Sequence, residues 1–133
     1  MNDALLVSVV DDDLSIREAL PVLLRQLGYE AKAFRSAEEF LGSGCVASTH
    51  CLLLDIQMPG MNGPQLHTEL KLRHRPISVI FITAHWDDAI CSRMLELGAV
   101  ACLSKPFSDT MLIKALNSTL QRCGATSGNN RVD

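Results

Sequence analysis

Four acids, a threonine and a lysine stand where apolar runs of this sequence end. Asp11, Asp12 and Asp13 follow Leu5–Val10, Asp55 follows Cys51–Leu54, Thr83 closes Ser78–Thr83, and Lys105 comes just after Val100–Leu103. Carboxylates brought together repel one another and raise their own pKa values unless a cation sits among them. Oxygen-only ligation with few protein ligands selects a hard ion, Mg²⁺ by preference, with Mn²⁺ as a substitute. Lys105 adds a second positive charge and Thr83 a neutral hydroxyl. A carboxylate in that company is a nucleophile toward a phosphoryl group, with the metal and the lysine neutralising charge on the phosphoryl oxygens. Taken singly, each residue has an ordinary use. Asp13 is read as a helix N-cap, threonine is a common strand former, and a lysine before proline is commonly a solvated charge.

These residues meet only if the apolar runs are strands that deliver them to one edge. The runs alternate with helical patterns five times. Leu5–Val10, Tyr29–Phe34, Cys51–Leu54, Ser78–Thr83 and Val100–Leu103 read as strands, and Tyr29–Phe34 alternates as an edge strand does. Between them, helical spacing runs from Ile16 to Leu27 and stops at Gly28, with Pro21 inside as a kink or a late start. Ser36 opens a short capped helix ending near Gly42, and Gly42–Thr49 is a loop. Residues 58–63 are turn chemistry. Leu66, Leu70 and Arg73 keep helical spacing up to Pro76. Asp87 or Asp88 caps a helix ending at Gly98, and Ser108 caps a last helix through about Arg122. The reading is an α/β fold: a three-layer sandwich around a parallel sheet with right-handed crossovers. In such sheets ligands bind beyond the carboxyl ends of the strands, at the edge where the acids, Thr83 and Lys105 fall.

The 133 residues suit one domain, and 47% of them are hydrophobic. Twelve basic against fifteen acidic residues leave a net charge of −3, which disfavours holding nucleic acid by bulk charge. No apolar run approaches the ~20 residues of a membrane span, and no secretory signal opens the chain. The five cysteines are odd in number and form no C-x-x-C pair, so Cys51, Cys91 and Cys102 are read as reduced packing residues in a cytoplasmic protein. No Walker-type or dinucleotide-binding glycine motif is present.

In order along residues 4–122, the sequence carries Val10-Asp11-Asp12 with Arg17, Asp55-Ile56-Gln57-Met58-Pro59-Gly60-Met61-Asn62-Gly63, Thr83-Ala84, Gly98-Ala99 and Lys105-Pro106-Phe107. This combination resembles the receiver domain of two-component response regulators. Residues 36–41 and the Ile82-Thr83-Ala84-His85 run are closest to the FixJ type, whose members commonly carry a helix-turn-helix output domain. The resemblance implies a flavodoxin-like (βα)5 fold with strand order 2-1-3-4-5. It implies that Asp55 accepts a phosphoryl group from a sensor histidine kinase. Mg²⁺ is then held by Asp12 and Asp55 directly, by Asp11 mainly through water, and by the Gln57 carbonyl. Thr83, Ala84 and Lys105 bind the phosphoryl oxygens, Lys105-Pro106 is cis, and Pro59 and Gly63 shape the loop after the acceptor.

The implied protein is not a conventional enzyme: it assists its own phosphorylation and slowly loses the group. Its output passes through a surface of the fourth helix, fifth strand and fifth helix to an output domain or protein partner, with a phosphorylation-dependent homodimer expected. Many receivers place an aromatic residue three positions before the lysine; here that position is Cys102, so aromatic gating does not carry over. Gln57 and His85 flank the expected path of hydrolytic water and are assigned to tuning. Residues 1–122 form the receiver, and 123–133 a flexible tail or linker start, of a single-domain regulator or of a longer protein. Two rivals stand beside this reading. Asp11-x-Asp13 is similar to the motif of haloacid-dehalogenase-type phosphatases, which would leave Asp55 without a role. A receiver-fold binding module working without phosphorylation is the other.

Overall fold

The computed structural model describes residues 4–124. Five strands, β1 (Leu6–Val10), β2 (Glu30–Phe34), β3 (Thr49–Asp55), β4 (Ser78–Thr83) and β5 (Ala101–Ser104), alternate with five helices. The helices are α1 (Leu14–Gln26), α2 (Ala37–Leu41), α3 (Gly63–Leu72), α4 (Asp88–Glu96) and α5 (Asp109–Gly124). All strand pairs are parallel and the sheet order is β2-β1-β3-β4-β5, as expected.

The central strands are continuous apolar runs because both faces of the sheet are covered. Alternate residues divide between two cores. Leu52, Leu54, Val79 and Phe81 pack on one side with Leu66 of α3 and Met94 of α4. Cys51, Leu53, Ile80 and Ile82 pack on the other with Leu24 of α1 and Leu112 of α5. In the edge strand β2 Glu30 and Lys32 are exposed and Ala31 is buried between them, while Phe34 is buried at the strand's end.

Several helix ends follow the cap signals. Asp13 caps α1, with its carboxylate accepting from the Ser15 amide. Gly28, at φ +99°, closes α1 in the left-handed region that suits glycine. Asp87, rather than Asp88, caps α4, and the Ser108 hydroxyl accepts from the Met111 amide. Some expectations shift. Helix α1 begins at Leu14, so Pro21 lies buried inside it and marks no late start; its missing amide removes one rung while its ring packs inward. Asn62 caps α3 in a reciprocal box with Gln65, so the helix begins within the stretch read as turn, at Gly63. It ends at Leu72, ahead of His74 at φ 56°. The loop after α2 holds a 3-10 turn, Val46–Ser48, and β3 starts two residues before Cys51. Helix α5 continues to Gly124, past Arg122; the rest of the expected tail, 125–133, lies outside the described residues.

Candidate functional site

Strand register builds the site. Val10 pairs with Leu54 and Asp55 with Ile82, so Asp11, the next residue of its chain, emerges beside Asp55. Thr83 pairs with Ser104, which sets Lys105 one residue beyond on the neighbouring strand. Three carboxylates converge: Asp11, Asp12 and Asp55 each offer an oxygen within 4.8 Å of the others. Asp11 and Asp55 are buried while Asp12 is exposed.

Lys105 is the cation between them. Its Nζ lies 2.8 Å from Asp11 Oδ2 and 3.8 Å from Asp55 Oδ2. Burial alone would lower the Lys105 pKa, but hydrogen bonding and charge from Asp11, with charge from Asp55 and Asp13, outweigh it, and the net direction is upward. The Asp55 carboxyl is pushed up to about 7, by burial first and by the Asp11 charge second. Lys105 and the Gln57 amide, which donates to Asp55 Oδ1 at 3.3 Å, oppose that rise. One lysine therefore does not balance the acids. Asp11 Oδ1 accepts from the Asp13 amide at 2.9 Å, and its buried Oδ2 is paired with Lys105 Nζ at 2.8 Å. Three converging carboxylates against one lysine fit a hard divalent cation, and the oxygen-only donor set fits Mg²⁺.

The remaining expected residues lie at the end of β4, on the loops after β3 and β4, at the start of α3, and on or just after β5. Thr83 is buried, and its hydroxyl is 3.1 Å from both the amide and the carbonyl of His85, closing a small turn in its own loop. Ala84 and His85 are exposed. Gln57 is exposed on the loop after Asp55, and so is Pro59. Lys105-Pro106 is cis. Gly63 has a steric reason to lack a side chain: a Cβ there would lie 2.4 Å from the Asp55 carbonyl oxygen and 3.0 Å from Ile56 Cα. Cys102 sits on β5, partly buried, with its Sγ 2.6 Å from that of Cys91 on α4.

Two supporting contacts were not legible from spacing. Arg17 donates to the Asp11 carbonyl at 3.0 Å, fixing the turn that carries the acids. Glu38 of α2 accepts from the Met61 amide at 2.9 Å, and that bond holds its carboxyl below the ordinary value. The same carboxylate would meet a Cβ on Gly60, at φ +73°, at 2.9 Å. Glu38 thus tethers the loop following Asp55 across 23 residues of sequence, which no local pattern signals.

A family described as the response regulator receiver domain matches residues 7–117. Nodulation protein W of Bradyrhizobium diazoefficiens is 43% identical over 117 residues, 88% of this chain and 52% of that protein. The transcriptional regulatory protein FixJ of Azorhizobium caulinodans is 37% identical over 122 residues, 92% of this chain and 58% of that protein. The chain thus spans little more than half the length of these relatives. Among solved structures, FixJ-N superposes with a TM-score of 0.77 at 30% identity, covering 99% of this chain and 100% of that one. The response regulator StyR superposes with a TM-score of 0.80 at 40% identity, covering 92% and 64%.

Proposed function

This chain belongs to the response regulator receiver domain family, and from that premise we propose that Asp55 is its phosphoacceptor. Receiver domains of two-component response regulators signal to output domains and are not conventional enzymes. The observation that carries the residue assignment is the meeting of Asp11, Asp12 and Asp55 within 4.8 Å, beside Lys105. In the reaction an Asp55 carboxylate oxygen attacks phosphorus as the nitrogen–phosphorus bond of a kinase phosphohistidine breaks. The electron pair of that bond returns to the imidazole, which takes a proton from solvent.

Asp11, Asp12, Asp55 and the Gln57 carbonyl would hold Mg²⁺, or Mn²⁺ in its place, and the ion supplies charge neutralisation at the phosphoryl oxygens. Lys105 turns from Asp11 toward one phosphoryl oxygen. Thr83 donates to another, with the Ala84 amide beside it. Because the Thr83 hydroxyl otherwise closes the His85 turn, drawing it to the phosphate opens that turn and moves the loop leading to Trp86 and α4. The readout surface is α4, β5 and α5, with an output domain, a protein partner or a second phosphorylated copy as its target. Gln57 and His85 tune the slow loss of the group to water. Among the described residues no helix is long and apolar enough to cross a membrane; cytoplasmic action is part of the proposal.

The test is intact mass after incubation with Mg²⁺ and acetyl phosphate. We expect one phosphoryl adduct, lost on chelation before addition and absent from Asp55→Asn. An adduct of the same extent on Asp55→Asn would defeat the reading.

A further inference from the structure

We propose that Cys91 and Cys102 are a redox-active pair, a modification site at which a disulfide joins α4 to β5. The two thiols come from different elements, and their sulfurs are 2.6 Å apart, well inside ordinary sulfur–sulfur contact. Cys91 is 3% exposed, on the buried side of α4. Cys102 lines an open groove with Trp86, Pro106, Phe107 and Met111, so a small oxidant reaches it from solvent while Cys91 waits behind. Other described thiols do not compete. Cys51 packs in the core on the opposite face of the sheet, and Cys45 lies in the connection between α2 and β3.

With a hydroperoxide as oxidant, the Cys102 sulfur loses its proton to solvent and attacks the peroxide. The oxygen–oxygen bond breaks, leaving a sulfenic acid and, from hydrogen peroxide, one water. Cys91 sulfur then attacks Cys102 sulfur, its proton leaves with the hydroxide, and a second water forms. Two thiols supply the two electrons that reduce one peroxide. Burial and the Cys91 contact push the Cys102 thiol up to about 12, which keeps it protonated until an oxidant is met. The bond itself is independent of the phosphoacceptor reading. Its consequence rests on that reading: α4 and β5 both belong to the region assigned to switching, so the bond holds α4 against β5 and opposes the rearrangement.

The experiment treats the whole chain with hydrogen peroxide, blocks remaining thiols by alkylation, and maps peptides without reduction. The expected result is a loss of two hydrogens in intact mass, reversed by dithiothreitol, with Cys91 and Cys102 in one linked pair of peptides. Cys102→Ser should abolish that link, and Cys91→Ala gives the same test should the serine variant not fold. Absence of the link, or only intermolecular or over-oxidised products, overturns the proposal. For the consequence, Mg²⁺ and beryllofluoride should change Trp86 fluorescence in reduced protein and not in oxidised protein that still binds beryllofluoride. An equal change in both forms overturns the coupling. Failure of reduced protein to bind beryllofluoride would count against the phosphoacceptor reading and leave the peptide map standing.

Discussion

Asp55 carries its charge against its surroundings: burial and Asp11 lift its pKa from 3.8 to about 7. Folding therefore favours the protonated acid. Below the unfolded value both states bind the proton and nothing is lost. As the pH rises from about 4 to about 7, the unfolded chain ionises first and stability falls. Replacing the charge removes this penalty. Asp55→Asn is expected to raise the unfolding free energy of metal-free protein by roughly 1–3 kcal/mol at pH 8, the gain shrinking toward pH 4. Thermal unfolding in chelator across that range checks it, and a gain that does not depend on pH would contradict the assignment of cause. At this scale the sequence showed which residues share the edge, because Asp11, Asp55, Thr83 and Lys105 each stand at the end of an unmistakable apolar run. It did not show the tether from Glu38 to Met61 or the meeting of Cys91 with Cys102. Both join residues on separate elements whose local patterns are complete without them.

The elements hold the acceptor through close backbone approach. Gly63, the first residue of α3, donates its amide to the Ile56 carbonyl at 3.0 Å, and a Cβ there would collide with the Asp55 carbonyl at 2.4 Å. Gly63→Ala should lower stability by about 1–3 kcal/mol, as overpacking does, and slow phosphoryl uptake by shifting Asp55. Denaturant unfolding together with the uptake rate measures both, and wild-type values for both would contradict the steric argument. On the opposite side of the site, the loop between β4 and α4 is closed by the Thr83–His85 turn and followed by Trp86, which is 49% exposed and donates to Asp88. Opening that turn should alter the indole's surroundings, so its emission is expected to shift on addition of Mg²⁺ with beryllofluoride. Unchanged emission despite demonstrated binding would mean that this loop does not move. The element boundaries were the least legible part. The start of α3 was hidden because Asn62 serves a turn signal and a helix cap equally well, and Pro21 was ambiguous because a buried proline within a helix resembles a helix start.

In the whole molecule, five β/α alternations pointed to a parallel sheet, and the observed strand order is the one the receiver resemblance implied. That is why the architecture was legible where individual contacts were not. The two cores, one under α1 and α5 and the other under α2, α3 and α4, fill the two faces of the sheet, and the acids, the lysine and the threonine gather at its carboxyl edge. The chain spans little more than half the length of the relatives it matches. The central claim concerns a single bond, between phosphorus and an oxygen of Asp55. An acyl phosphate is reduced by borohydride to an alcohol, which converts the phosphorylated aspartate to homoserine. After treatment with acetyl phosphate, Mg²⁺ and then borohydride, sequencing of the peptides should find homoserine at position 55. Homoserine at position 11 would support the haloacid-dehalogenase-type rival, and homoserine at any position other than 55 would contradict the account.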